Sequence, residues 1–203
     1  VIARWTPTAD TPPERRHVLV LPQPPDPSRF SFLAVGDTGN ADAADGANSP
    51  QAAVAVEMAR DSALPGSNGN AQFVLHLGDV VYMTGERRLY ERNFLKPYAP
   101  FLMPASKIGE LTFRIPFLAI PGNHDYYDLN SLLKWLSRIP LLGSSLRRIS
   151  YELFDFSLPQ GGSGMGSAFM EAFVRPPANP GEPVVYQPGV DTHLPNRYYR
   201  FQF

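Results

Sequence analysis

The chain has 203 residues, 43% of them hydrophobic and 18% charged, with a formal net charge of −1. That length buries a core without metal or disulfide staples, and the charge balance excludes a disordered charged tail and a global basic field that would attract nucleic acid. Cysteine is absent, which excludes disulfides, thiolate zinc sites, iron–sulfur clusters and cysteine nucleophiles together. It leaves the compartment open, because a chain without thiols suits any redox environment. No apolar run approaches the ~18 residues that cross a bilayer.

Residues 1–30 hold seven of the 22 prolines and read as a proline-rich lead-in, an extended tether with no assigned partner. They lack the ordered basic, apolar and cleavage regions of a signal peptide. The chain begins without Met, as one lacking its first residues does. Residues 31–203 read as one domain. Phe32-Leu33-Ala34-Val35 is a short apolar run closed by Gly36-Asp37-Thr38-Gly39-Asn40, the pattern of a buried strand feeding a loop. Ser49-Pro50 supplies an N-cap and first helical position for a helix over Gln51 to Arg60. A turn cluster, Leu64 to Asn70, precedes a second strand, Phe73-Val74-Leu75-His76-Leu77, which again ends in Gly-Asp at Gly78-Asp79. Glu86 to Tyr98 has helical spacing, and Phe117-Leu118-Ala119-Ile120 is a third strand, closed by Pro121-Gly122-Asn123-His124-Asp125.

Strands alternating with helices define an α/β fold, and continuous apolar strands imply a parallel sheet covered on both faces. In such sheets ligands bind beyond the carboxyl ends of the strands, where all three polar clusters fall. Leu129 to Tyr151 is apolar and basic, with Lys134, Arg138, Arg147 and Arg148 around Trp135 and no acidic residue. It reads as a pair of short helices covering the sheet or flanking the site, since Pro140 and Gly143 interrupt a membrane-surface helix. Residues 155–196 are Gly/Pro-rich and long for a loop. Arg197 to Phe203 alternates Tyr199, Phe201 and Phe203 with Tyr198, Arg200 and Gln202, a half-buried strand by its period of two.

Asp37, Asp79, Asn123, His124 and Asp125 supply carboxylate and amide oxygens and an imidazole, ligands suited to manganese, iron and zinc. One Gly-Asp after a strand is ordinary turn chemistry. Two of them followed by Gly-Asn-His-Asp, on three successive strands, point to a metal site, and one carboxylate bridging two cations is the arrangement that clamps both oxygens of a phosphoryl displacement.

These blocks, Gly36-Asp37-Thr38-Gly39, Gly78-Asp79-Val80-Val81-Tyr82 and Gly122-Asn123-His124-Asp125, resemble the first three motifs of the calcineurin-like metallophosphoesterases. Within that family, Tyr82-Met83-Thr84-Gly85 is similar to the purple acid phosphatase branch, including its small tartrate-resistant form. The resemblance spans roughly residues 31–128 and, more loosely, the strand at 197–203. It implies a layered fold, a two-sheet β-sandwich flanked by helices. It implies two metal ions, Fe(III) with Fe(II), Zn or Mn, and hydrolysis of a phosphorylated small molecule or other phosphoester by a metal-bound hydroxide. Asp37 and Tyr82 would bind the first metal, Asp79 would bridge both, and Asn123 would bind the second. His124 would stabilise charge or protonate the leaving group, and Asp125 would orient His124.

Two departures matter. Many members carry His where Gly39 stands, and the purple branch compensates with a tyrosinate to ferric iron, the place of Tyr82. The family's later histidines, one alone and two in a Gly-His-x-His block, have no counterpart among His17, His76, His124 and His193. His193 reads as a loop residue, His76 as a packed core histidine, and His17 has no role. The resemblance therefore implies the amino-terminal portion of a domain that is incomplete at the C-terminus and, alone, hydrolyses phosphoesters poorly. A phosphodiesterase, a nucleotide pyrophosphatase or a non-catalytic relative fits the same blocks. Localisation and protein partners stay open.

Overall fold

The computed structural model describes residues 18–26, 28–39, 49–67, 69–82, 84–126, 135–136, 139, 142–146, 148–149, 164–177, 179, 182–190, 192–197 and 199–202. Residues 1–17 with His17, most of the basic apolar stretch 129–151, the glycines at 161–162, Met83, Tyr198 and Phe203 lie outside them. Strand β1 (Val18–Val20) is followed by β2 (Ser31–Val35), helix α1 (Pro50–Asp61) and β3 (Ala71–His76). Next come α2 (Arg87–Tyr90), β4 (Phe117–Ala119), α3 (Asn123–Tyr126), α4 (Ser167–Phe173), β5 (Val184–Val185) and β6 (Arg200–Gln202).

The three expected strands are neighbours in one parallel sheet, ordered β2-β3-β4. Val35 pairs with His76, and His76 with Ala119. The strands therefore end level, and their Gly-Asp, Gly-Asp and Gly-Asn-His-Asp loops emerge at one edge. Helix α1 makes the crossover from β2 to β3. Ser49 caps it, its Oγ accepting from Ala52 N at 3.2 Å, with Pro50 at the first position where no N–H is needed. Its buried face is Ala52, Ala55 and Met58, spaced to fall on one side of a helix.

A second sheet, ordered β5-β1-β6 and also parallel, makes the two-sheet arrangement with flanking helices that the resemblance implied. Its middle strand, β1, lies inside the stretch read as a lead-in, so the fold reaches back past residue 30. Phe201 meets Phe73 edge-on at 5.6 Å, Tyr199 Oη donates to Ala119 O, and Tyr186 Oη accepts from Phe117 N at 3.0 Å. Those contacts join the sheets. The Gly/Pro-rich stretch also holds structure, because α4 buries Ala168, Phe169, Ala172 and Phe173.

The helix expected over Glu86 to Tyr98 is broken into pieces. After α2 the chain takes a wider π turn over Glu91–Leu95 and a 3₁₀ turn over Ala99–Phe101. The widening turns Asn93 and Phe94 inward, both buried. Phe94, Tyr98, Phe101, Phe113 and Phe117 then form an aromatic core under the sheet, with Phe117 stacked 4.8 Å from Phe113 and edge-on to Tyr98 at 5.4 Å.

Phe117→Ala is expected to lower stability by about 3–5 kcal/mol, because this core cannot collapse around the lost ring. Phe32→Ala, which removes a half-exposed ring stacked on Phe73, should cost less than about 1.5 kcal/mol. Urea midpoints of the two variants check the ordering.

Candidate metal centre

Each of the first two loops begins with an aspartate in the left-handed region, Asp37 at φ 54° and Asp79 at φ 51°. That conformation is uncommon for a residue with a side chain, though Asp tolerates it better than most. It turns the chain back at the strand end, and the two loops then bond each other. Asp37 N donates to Gly78 O at 3.1 Å, and Thr38 N to Asp79 O at 3.2 Å.

The carboxylates of Asp37 and Asp79 meet at one atom. Tyr82 Oη lies 2.7 Å from Asp37 Oδ1 and 3.0 Å from Asp79 Oδ2. A phenol has one proton, so two carboxylates share a single hydrogen. Burial, then the hydrogen bonds to Asp37 and Asp79, push the Tyr82 phenol well above its ordinary range. The cluster is rich in oxygen donors and short of positive charge, a donor set that fits hard cations. Among the described residues no three His, Cys, Asp or Glu side chains gather as a metal group; the donors brought together here are two carboxylates and a phenol.

The third loop is pressed against the second. His124 N donates to the other oxygen of Asp79, Oδ1, at 2.9 Å, and the His124 ring lies 4.3 Å from the Tyr82 ring. Gly122 has no room for a side chain: an added Cβ would sit 2.1 Å from Asp79 Oδ1 and 2.3 Å from Asp79 N. Asn123 opens α3 beside His124, with its side chain exposed.

Asp125 is fully buried, and its Oδ2 accepts from Val80 N at 3.1 Å and Gly122 N at 2.9 Å, while Tyr90 Oη reaches Oδ1 at 3.4 Å. Burial raises this carboxyl, and the backbone amides partly oppose that. Its hydrogen bonds clamp loop two to loop three. Tyr90 was legible in the sequence only as an apolar face residue, and no local signal links it to Asp125.

His76 is buried as expected, and burial lowers it to about 4, so it is neutral. It also touches the site, since its Nε2 lies 2.8 Å from Thr38 Oγ1. His193 is buried next to Leu194, which bridges to Val174 beyond α4. A cleft of about 350 Å³ opens beside the first loop, between Asp37, Thr38, Gln51 and Tyr98.

Level parallel strands thus carry clustered carboxylates and a histidine at their carboxyl edge, the edge at which ligands bind in such sheets. The calcineurin-like phosphoesterase family model matches residues 30–182, well over half of the chain, and the chain belongs to that family. The family generally uses a dinuclear metal centre. No curated protein and no solved structure is significantly similar to the chain. No helix among the described residues is long and apolar enough to cross a membrane.

Gly122→Ala should destabilise the protein by at least about 2 kcal/mol and abolish tight metal binding, because its methyl collides with Asp79. Gly66→Ala is the control: Gly66 also has positive φ but open space around it, so it should cost only the ~1–2 kcal/mol of the left-handed backbone. Urea unfolding and Mn(II) titration of both variants separate the two effects.

Proposed function

We propose that this site is a dinuclear phosphohydrolase centre of the purple acid phosphatase kind, acting on phosphate monoesters. The observation that carries the reading is the single Tyr82 hydroxyl within hydrogen-bond distance of carboxylates from two strands. Gly39 supports it independently. An added Cβ there would sit 2.4 Å from Val81 Cα and 2.7 Å from Val80 O, so this backbone leaves no space for the histidine that many family members carry in that position. A further donor for the first metal has to come from elsewhere, and Tyr82 is in reach of Asp37.

On this reading Asp37 and Tyr82 would hold the first metal, Asp79 would serve both, and Asn123 would offer its amide oxygen to the second. Bound metals supply Lewis-acid polarisation of the phosphoryl group and a water acidic enough to react near neutral pH. The chain's own residues arrange the rest. The His124 amide holds Asp79 Oδ1 and leaves Oδ2 toward Tyr82. On this reading the His124 imidazole, which lies beside the Tyr82 ring, would stabilise phosphoryl charge or give a proton to the leaving oxygen. Asp125 keeps both loops in register.

In the full-length protein, Asp79→Ala should lose hydrolysis of a chromogenic phosphate monoester below detection. His124→Ala should retain metal and lose only the ~10²–10⁴-fold of a proton donor. Equal residual activity in the two, with metals retained, contradicts the assigned roles.

Iron-loaded full-length protein should show a visible phenolate-to-iron band. Tyr82→Phe should remove the band and weaken the first metal while leaving the fold intact by far-UV circular dichroism, since the ring still packs and only an oxygen is lost. An active, iron-loaded protein without the band, or a band that survives Tyr82→Phe, sinks the purple assignment and leaves the family.

A further inference from the structure

We propose that His76 is a positioning residue for the first metal loop: from the end of β3 its imidazole holds the Thr38 hydroxyl, and thereby the left-handed turn at Asp37. The inference rests on the metal-centre reading above and adds to it a residue that contacts neither metal nor substrate.

The ring is fully buried and Nδ1 has no hydrogen-bond partner among the described residues, whereas Nε2 is 2.8 Å from Thr38 Oγ1. A neutral imidazole has one N–H and one bare nitrogen. A buried N–H without a partner is rarer and costlier than a bare acceptor, so the hydrogen belongs on Nε2, donating to Thr38. Burial pushes the Tyr98 phenol up, and hydrogen bonds from Thr38 and Gln51 pull it back. Gln51 Nε2 in turn donates to Asn93 O at 2.9 Å, and Asn93 Nδ2 reaches Tyr82 O at 3.4 Å.

Behind the site His76 thus holds Thr38, next to Asp37, while Gln51 and Asn93 form a separate line of polar contacts that reaches the backbone of Tyr82. Thr38 is the link with most to hold, since its amide also bonds Asp79 O. A histidine kept only for packing, against Tyr98 and Phe117, would not need its nitrogen on a loop hydroxyl. An apolar pair of similar shape would serve the core equally well.

The test is calorimetric titration of Mn(II) into metal-free full-length protein, comparing wild type, Thr38→Val, Thr38→Ser, His76→Phe and the Thr38→Val/His76→Phe pair. Thr38→Val and His76→Phe should each weaken the tighter site by about tenfold, in the range of residues that orient ligands. Thr38→Ser should bind within about twofold of wild type, and the double variant should be no weaker than either single. Wild-type affinity in Thr38→Val, a Thr38→Ser as weak as Thr38→Val, or a double variant equal to the product of the singles overturns the inference. If His76→Phe does not fold, the Thr38 pair decides alone. A wild-type protein that takes up no Mn(II) removes the metal-centre reading instead. Amide exchange at Thr38 and Gly39, which needs no metal, then decides: faster exchange in Thr38→Val supports the anchor, and unchanged exchange overturns it.

Discussion

Val35, His76 and Ala119 lie side by side across three parallel strands, and that register governs the rest of the site. Parallel pairing brings strand ends of one polarity to one edge, so loops far apart in sequence become neighbours without any long-range turn. A slip of one strand would carry its aspartate a residue's length away from Tyr82. Two sets of contacts oppose a slip. Backbone bonds cross the sheet beyond its last paired residues, Leu77 N to Val35 O and Ile120 N to His76 O. The aromatic core then fixes β4 from below, with Phe117 enclosed by Phe94, Tyr98, Phe101 and Phe113.

Holding the two aspartates in the left-handed region costs about 1–2 kcal/mol each, and bringing their charges together costs more. Strain of this kind persists where surrounding structure over-determines it. Here the restraints are specific. Loop one hangs on loop two through three backbone bonds, and Asp79 is gripped at its carboxylate by His124 N. Asp125 takes amides from both sides of the second gap. Its burial also explains a small residue at Gly85, where a Cβ would stand 2.5 Å from Asp125 O. The loops are thus packed backbone on backbone, and on the proposed reading the polar side chains of Asp37, Tyr82 and Asn123 are left for the metals.

The sheet and the clustering of the blocks were legible because each signal is local: an apolar run, a glycine, an aspartate. Ser49-Pro50 marked the start of α1 to the residue for the same reason. Strand β1 was not legible, since three residues among prolines carry no period, and its partners β5 and β6 lie more than 160 residues away in sequence. Helix α4 was hidden by its seven-residue length within a glycine-rich stretch. The 86–98 segment had helical spacing, but nothing in that spacing marks the widening to a π turn over Glu91–Leu95. At the site, identities were readable and relations were not. Nothing near Asp125 says that its carboxylate clamps Val80, and nothing near His76 says that it reaches Thr38.

On the proposed reading, the missing histidine at residue 39 and the phenol of Tyr82 at the first metal have one geometric origin. Gly39 lies on the backbone of Val81 and Tyr82, close enough that any side chain would collide with Val81 Cα and Tyr82 N. That close approach removes a donor, because no histidine fits at residue 39 on this backbone. It also draws the second loop under the first, and the Tyr82 hydroxyl then falls 2.7 Å from Asp37. A bulkier residue at 39 would lift loop one off loop two, making space for its own side chain while carrying Asp37 away from the phenol. Histidine at 39 and a phenol on Asp37 are therefore mutually exclusive in this geometry. On the proposed reading, the pairing of Gly39 with Tyr82 is one choice of ligand set, made by how closely two loops approach.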